Sequence, residues 1–273
     1  MSKVGPFLLA FHIAFLIFIA APIVVVVLVA FTPTAYLSIP TTEFSLRWFR
    51  AIFASRDFPA SFVISLELAT VAASCALAIG IPAAFALGRS FRVVHRMLAA
   101  LFLSPLLVPA VVLGVSLLRF LNQMGWHGTF ASLVLCHTVV ILPYVIRLLL
   151  TAIAGFDHAV ETAALSLGAS RLQAFRRVIL PLIMPGVVGA WLVAFIMSLD
   201  ELTMTIFVAS ANTTTFPVRL FDYLTQSTDP LVASVSTVWI ALITLAMILL
   251  DFVYGLDRLL VGRASNDRAR SRG

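Results

Sequence analysis

Two adjacent carboxylates, Asp200 and Glu201, interrupt an apolar run that extends from about residue 183 to 209. An ionised carboxylate facing hydrocarbon costs about 3 kcal/mol, so such residues line a polar path or meet a partner. The run predicts a helix, on which neighbours point about 100° apart. One carboxylate then faces a path through the apolar layer, and the other meets a neighbouring helix or a second subunit. On that helix Asp200 with Thr203, and Glu201 with Thr205, form polar faces at i+3 and i+4. The chemistry on offer is attraction of a cationic solute, with a structural contact between subunits as the alternative. Glu67, near the outer third of the second apolar run, either lines an outer vestibule or pairs with Arg119.

The remaining reactive side chains point elsewhere. His137 stands alone among apolar neighbours and reads as a hydrogen-bonding link between helices. Cys75 and Cys136 fall inside apolar runs and read as small core residues, with no disulfide, metal or thiol chemistry. The chain has no Gly-x-x-x-x-Gly-Lys-Ser/Thr loop, and no Gly-x-Ser-x-Gly elbow or His-Glu-x-x-His pair lies in its apolar runs. The expectation is therefore no catalytic residue, no metal site and no cofactor in this chain.

The elements that position these residues are membrane helices. Of the 273 residues, 62% are hydrophobic and only 11% are charged, where a soluble domain carries roughly a quarter. Six runs reach the roughly 20 residues that span a bilayer: about 7–31, 61–87, 97–121, 130–152, 183–209 and 231–255. With the amino terminus inside, thirteen of the eighteen Lys and Arg residues fall on the inner side and five on the outer, which makes both termini cytoplasmic. The formal charge of +6 is thus a matter of topology, and nucleic acid is not a partner. Arg147, at the inner end of the fourth run, snorkels to the headgroups. In the first outer loop, Phe44, Trp48, Phe49, Ile52 and Phe53 share one helical face opposite Arg47 and Arg50, an amphipathic helix lying on the outer leaflet. Pro105, Pro109, Pro143 and Pro185 break helix ladders at membrane depth. The chain divides into a first helix with its outer loop (1–60), a five-helix core (61–262) and a basic cytoplasmic tail (263–273).

Between the fourth and fifth runs lies Glu161–Pro181, ETAALSLGASRLQAFRRVILP, a polar, helix-prone cytoplasmic stretch. Asp157 and Glu161 sit at the start of its helix, where acidic groups favour the dipole. Gly168 lets the helix stop and turn, and Pro181 begins the next helix, where a missing amide proton matters least. Small residues (Ala163, Ala164, Gly168, Ala169, Ser170) let another protein approach closely.

This stretch resembles the EAA signature of the permease subunits of binding-protein-dependent ABC importers. Aligned on Gly168, the two alanines are Ala163 and Ala164, and the closing element is Val178-Ile179-Leu180-Pro181. Thr162 occupies the usual glutamate position with Glu161 one residue earlier, and Val178 replaces isoleucine. The resemblance covers roughly residues 55–262 and is closest to the second permease of the spermidine/putrescine type. Ser104–Pro109, Ser198–Glu201 and Thr214–Val218 carry that part.

The resemblance implies an all-α polytopic protein of the bacterial inner membrane with the type I importer permease fold. It implies an ATPase-coupling loop at about 153–182, with Glu161, Thr162, Ala163, Ala164, Gly168, Leu180 and Pro181 at the contact. Asp200, Glu201 and Glu67 then become translocation-path residues. The implied partners are a second permease subunit in a heterodimer, two copies of an ATPase that binds the ATP and Mg, an extracytoplasmic binding protein, and membrane lipid. The expected cargo is a polyamine; an opine, an amino-acid-like compound, a phosphonate or ferric iron is the alternative. An ion channel or proton-coupled carrier is a reading of another class, which leaves the cytoplasmic loop without a purpose.

Overall fold

The computed structural model describes residues 5–40, 43–88 and 93–254. The expectations for Lys3, Arg89, Arg92 and the basic tail lie outside these residues. Among the described residues every regular element is a helix. In chain order they are α1 (Pro6–Ala30), α2 (Arg47–Ala54), α3 (Asp57–Gly88), α4 (Val93–Leu103), α5 (Ala110–Gln123) and α6 (Phe130–Ala154). There follow α7 (His158–Ser166), α8 (Arg171–Ala174), α9 (Leu180–Leu199), α10 (Thr205–Val208), α11 (Phe216–Gln226) and α12 (Leu231–Tyr254). A 3-10 turn, Ser104–Leu107, lies between α4 and α5, and a π turn, Phe175–Ile179, joins α8 to α9.

Among the described residues, four helical stretches are long and apolar enough to cross a membrane: Pro6–Ala30, Asp57–Gly88, Phe130–Ala154 and Arg171–Leu199. The third apolar run, expected as one span with its helix ladder broken at Pro105 and Pro109, is sharply bent there. Val93–Leu107 and Ala110–Gln123 meet at 105°, so the pair is either one broken span or a re-entrant loop. Pro105 and Pro109 explain the break, because each lacks an amide proton and forces its predecessor out of helical geometry. Pro143 and Pro185 behave differently: both sit inside helices that run on past them.

The chain forms two compact units, one built from residues up to Ala60 together with Arg219–Leu249, the other from Ser61–Val218. In the first, Phe31 packs on Phe49 with ring centroids 5.0 Å apart, and the Ser234 hydroxyl donates to Ala30 O (2.9 Å). On α2, Trp48 and Ile52 turn inward while Phe53 stays exposed, so only part of the expected apolar face is free for lipid. The Trp48 indole N–H donates to Thr34 O (3.1 Å), and the Arg47 guanidinium lies 4.7 Å over its ring.

The second unit is organised around α6. Its buried face, Ile141, Val145, Leu149 and Ile153, recurs every fourth residue and so forms one stripe. Ala72, Ala73, Ala76 and Ala84 of α3 meet that stripe, and so do Ile183, Val187, Ala190 and Ala194 of α9. Small residues set the spacing, as they do where membrane helices approach closely. A Cβ on Gly186 would stand 2.5 Å from Ala152 Cβ, and one on Gly80 would stand 2.7 Å from Val145 Cγ1.

Candidate functional site

The stretch between α6 and α9 is a built object. Asp157 caps α7, its Oδ1 accepting from Ala159 N (2.9 Å), and Glu161 follows in the first turn. The helix ends in a Schellman motif. Gly168 N donates to Leu165 O (3.0 Å), Ala169 N donates to Ala164 O (3.1 Å), and Gly168 takes the left-handed φ of +86° that this motif requires. Two residues on, Ser170 and Gln173 form a capping box. Ser170 Oγ accepts from Gln173 N (3.3 Å), while Gln173 Oε1 accepts from Ser170 N (2.8 Å).

From Arg171 the chain stays helical through Leu199, 29 residues in all. Pro181 was expected to open the fifth helix, but that helix is already two turns old when it reaches Pro181. The π turn sits just before it and includes Arg177, whose carbonyl the proline ring would otherwise crowd. One side of the segment is fixed to the core. Ala174 and Ile179 are buried, Leu180 packs against the α6 cluster, and Phe175 meets Phe85 edge-on at 4.9 Å. The other side faces outward: Thr162, Ala163, Gly168 and Pro181 are exposed, and Leu167 is 89% exposed. Where α7 leaves α6, a cleft of about 260 Å³ opens between Phe156, Asp157 and Val160 on one side and Leu182 and Ile183 on the other.

At the far end of this rod the structure departs from the sequence reading. The helix stops at Leu199, so the i+3 and i+4 faces expected for Asp200 with Thr203 and for Glu201 with Thr205 do not form. The cause is local. Glu201 Oε1 accepts from Met204 N (2.7 Å), so the carboxylate itself satisfies a backbone donor at the start of a new turn. Thr205–Val208 then resumes as a single helical turn. Asp200 terminates α9 and is exposed, while Glu201 is half-buried. Glu67, on α3, is exposed, and among the described residues no ion pair joins it to Arg119, which is exposed on α5.

His137 is fully buried and links helices as its sequence context suggested. Its Nδ1 lies 2.8 Å from Ser198 Oγ and its Nε2 lies 3.0 Å from Thr205 Oγ1. Gly114 of α5 packs against the same break, where a Cβ would lie 3.1 Å from both Cα and O of Met204. Sequence reasoning singled out neither Gly114 nor the two hydroxyls as supports. The available signal was Ser198 and Thr205 flanking the carboxylates within an otherwise apolar run.

Residues 76–260 match the family described as binding-protein-dependent transport system inner membrane component. The spermidine/putrescine transport system permease protein PotC of Haemophilus influenzae is 32% identical over 243 residues, 89% of this chain and 93% of that protein. The putrescine transport system permease protein PotI of Escherichia coli is 29% identical over 228 residues, 81% and 80% of the two chains. The molybdenum transport system permease protein ModB of Mycobacterium bovis is 32% identical over 226 residues, 75% and 84%. In fold, the chain is similar to a chain of a bacterial ABC transporter involved in import of the polysaccharide alginate. The TM-score is 0.72 at 12% identity, covering 93% of this chain and 99% of that one.

Proposed function

The chain belongs to the family of binding-protein-dependent transport system inner membrane components, and from that premise we propose that it forms half of the translocation pathway of an ATP-driven polyamine importer. It is an inner-membrane permease subunit. One observation carries the mechanism: a single helical rod joins the cytoplasmic segment to the carboxylate break. Its 29 residues measure about 43 Å at 1.5 Å per residue, a bilayer's thickness. A displacement of α7 by a bound ATPase is transmitted through the π turn into α9 and arrives at Asp200 and Glu201.

In this reading Glu161, Thr162, Ala163, Ala164, Gly168, Leu180 and Pro181 form the coupling contact. Asp200, Glu201 and Glu67 line the path for a cation. The finer architecture is six spans of the type I importer permease fold with both termini cytoplasmic. It comprises a first helix and outer loop to residue 60, a core over 61–262 and a tail from 263. The partners are a second permease subunit, two ATPase subunits that bind ATP and Mg, and an extracytoplasmic binding protein. PotC and PotI, named for spermidine and putrescine transport, support the polyamine cargo, and exposed carboxylates suit it chemically. ModB, equally identical but named for molybdenum transport, favours a second reading in which the same machinery carries another small solute.

Uptake of radiolabelled putrescine and spermidine by vesicles holding the complete complex tests this. Saturable, ATP-dependent uptake that falls in Asp200→Asn or Glu201→Gln, at unchanged protein levels, is the expected result. A complex that hydrolyses ATP on addition of its binding protein but accumulates neither amine refutes the polyamine cargo and leaves the permease role intact.

A further inference from the structure

The break between α9 and α10 carries both carboxylates, and its main-chain bonds each stay at one end of it: Asp200 N donates to Ile196 O (3.1 Å), and Ile206 N donates to Leu202 O (3.0 Å). Its two ends are instead tied together from a third helix. Ser198 is the penultimate residue of α9, and Thr205 is the first of α10. Seven residues apart in sequence, they meet the two nitrogens of one imidazole, His137, at 2.8 and 3.0 Å. All three side chains are buried. Each hydroxyl can donate or accept, so both ring nitrogens are matched in either tautomer.

Between the tied ends, Asp200 is exposed and Glu201 bonds Met204 N. On α5, Gly114 abuts the Met204 backbone, leaving the loop no room to slide toward that helix. A break in a membrane helix survives only where its freed polar groups find partners within the protein.

We propose that His137 is a positioning residue for transport: by clamping Ser198 to Thr205 it sets where Asp200 and Glu201 stand along the path. The inference rests on those carboxylates lining the path. Without the clamp, the seven-residue span is free to rewind as helix, which carries Glu201 off Met204 N and turns both carboxylates to new directions.

The test is a double-mutant cycle in vesicles holding the complete importer and its binding protein, read as the initial rate of ATP-dependent radiolabelled putrescine uptake. His137→Phe removes both bonds at similar size, and His137→Asn and His137→Gln each keep a polar atom near one ring-nitrogen position. Assembly with the ATPase and the ATPase rate are measured on the same vesicles. His137→Phe is expected to lower uptake about tenfold, as for loss of two buried hydrogen bonds. Asn or Gln should regain part of it, and in a Glu201→Gln background His137→Phe should cost almost nothing more.

A loss of equal factor in both backgrounds, or no loss at all, overturns the positioning role while the carboxylate path stands. Full uptake by both Asp200→Asn and Glu201→Gln overturns the path reading and this inference with it. If His137→Phe does not assemble, the break is read directly. With Cys75 and Cys136 replaced by Ala, Thr203→Cys sits in the exposed part of the loop. A labelling rate by a small thiol reagent that is the same with His137 and with His137→Gln overturns the clamp.

Discussion

Gly168 is the residue on which the segment between α6 and α9 turns. Its φ of +86° is left-handed backbone, and nothing lies within 4 Å of a Cβ built there. Any cost of substitution is therefore conformational, not steric. Gly168→Ala should cost roughly 1–2 kcal/mol locally, the usual penalty for an L-residue in that region. Because the motif orients α7, we expect ATP-driven uptake to fall while the complex still hydrolyses ATP, seen by measuring both rates on one vesicle preparation. A channel would conduct unchanged, so equal uptake by Gly168→Val and wild type would sink the motor-driven reading. At the other end of α7, Asp157→Ala removes a cap worth about 1 kcal/mol, and a milder loss of the same kind should follow. Gly168 and Asp157 were legible in the sequence because caps and turns use a short chemical vocabulary. The role of Glu201 was not. A glutamate that bonds a backbone amide three residues on looks, in sequence, like any glutamate on a helix, and the apolar residues on either side, Met197, Leu199, Leu202 and Met204 among them, argue for continuity.

Among the elements, α6 and α9 pack closely, and the approach depends on Gly186 facing Ala152. Gly186→Ala brings two methyl groups to 2.5 Å, well inside contact distance. We expect a loss of about 1–3 kcal/mol, typical of overpacking, measured as a lower midpoint for thermal unfolding in detergent. Ala152→Gly should restore most of it, since it removes the opposing methyl; failure of that rescue would show that the contact is not what sets the spacing.

Helix α11, outside the candidate spans, offers a second check. The Tyr223 hydroxyl donates to Asp229 Oδ2 (2.7 Å), and burial together with that carboxylate pushes its pKa up to about 12. The folded-state pKa is raised, so this contribution is complete below pH 10 and fades as pH rises toward 12. The Tyr223 contribution should therefore not change with pH between 6 and 9, and Tyr223→Phe should flatten any decline above pH 10 in a pH series of thermal melts. Of the elements, long apolar helices were legible from hydropathy. The 105° bend and α11 were not, because a run's hydrophobicity records burial and not direction, and α11 is too short and too polar to stand out.

For the whole molecule, orientation is the property to measure. Single cysteines placed at Ser55 and Ser166, in a background with Cys75 and Cys136 replaced by Ala, should label from opposite sides of the membrane with an impermeant reagent. Ser55 should react in intact cells whose outer membrane has been opened, and Ser166 only after the inner membrane is breached. Labelling of both from one side would refute the six-span topology. The helices also differ in what they demand of their surroundings during synthesis. Helix α1 has a mean hydropathy of 3.2 and scarcely any buried surface over its most apolar stretch. Over that stretch lipid alone can receive it, so it can leave the insertion machinery early. The bent third run and the interrupted end of α9 are in the opposite position. Their freed backbone groups and carboxylates have no place in hydrocarbon, so the bent run waits for a later helix, and the end of α9 needs one already made. His137 is translated some sixty residues before Ser198, and through that interval the receiving imidazole is in place before the segment it will hold. The order of the gene thus matches the order in which the bundle can tolerate its own polar parts.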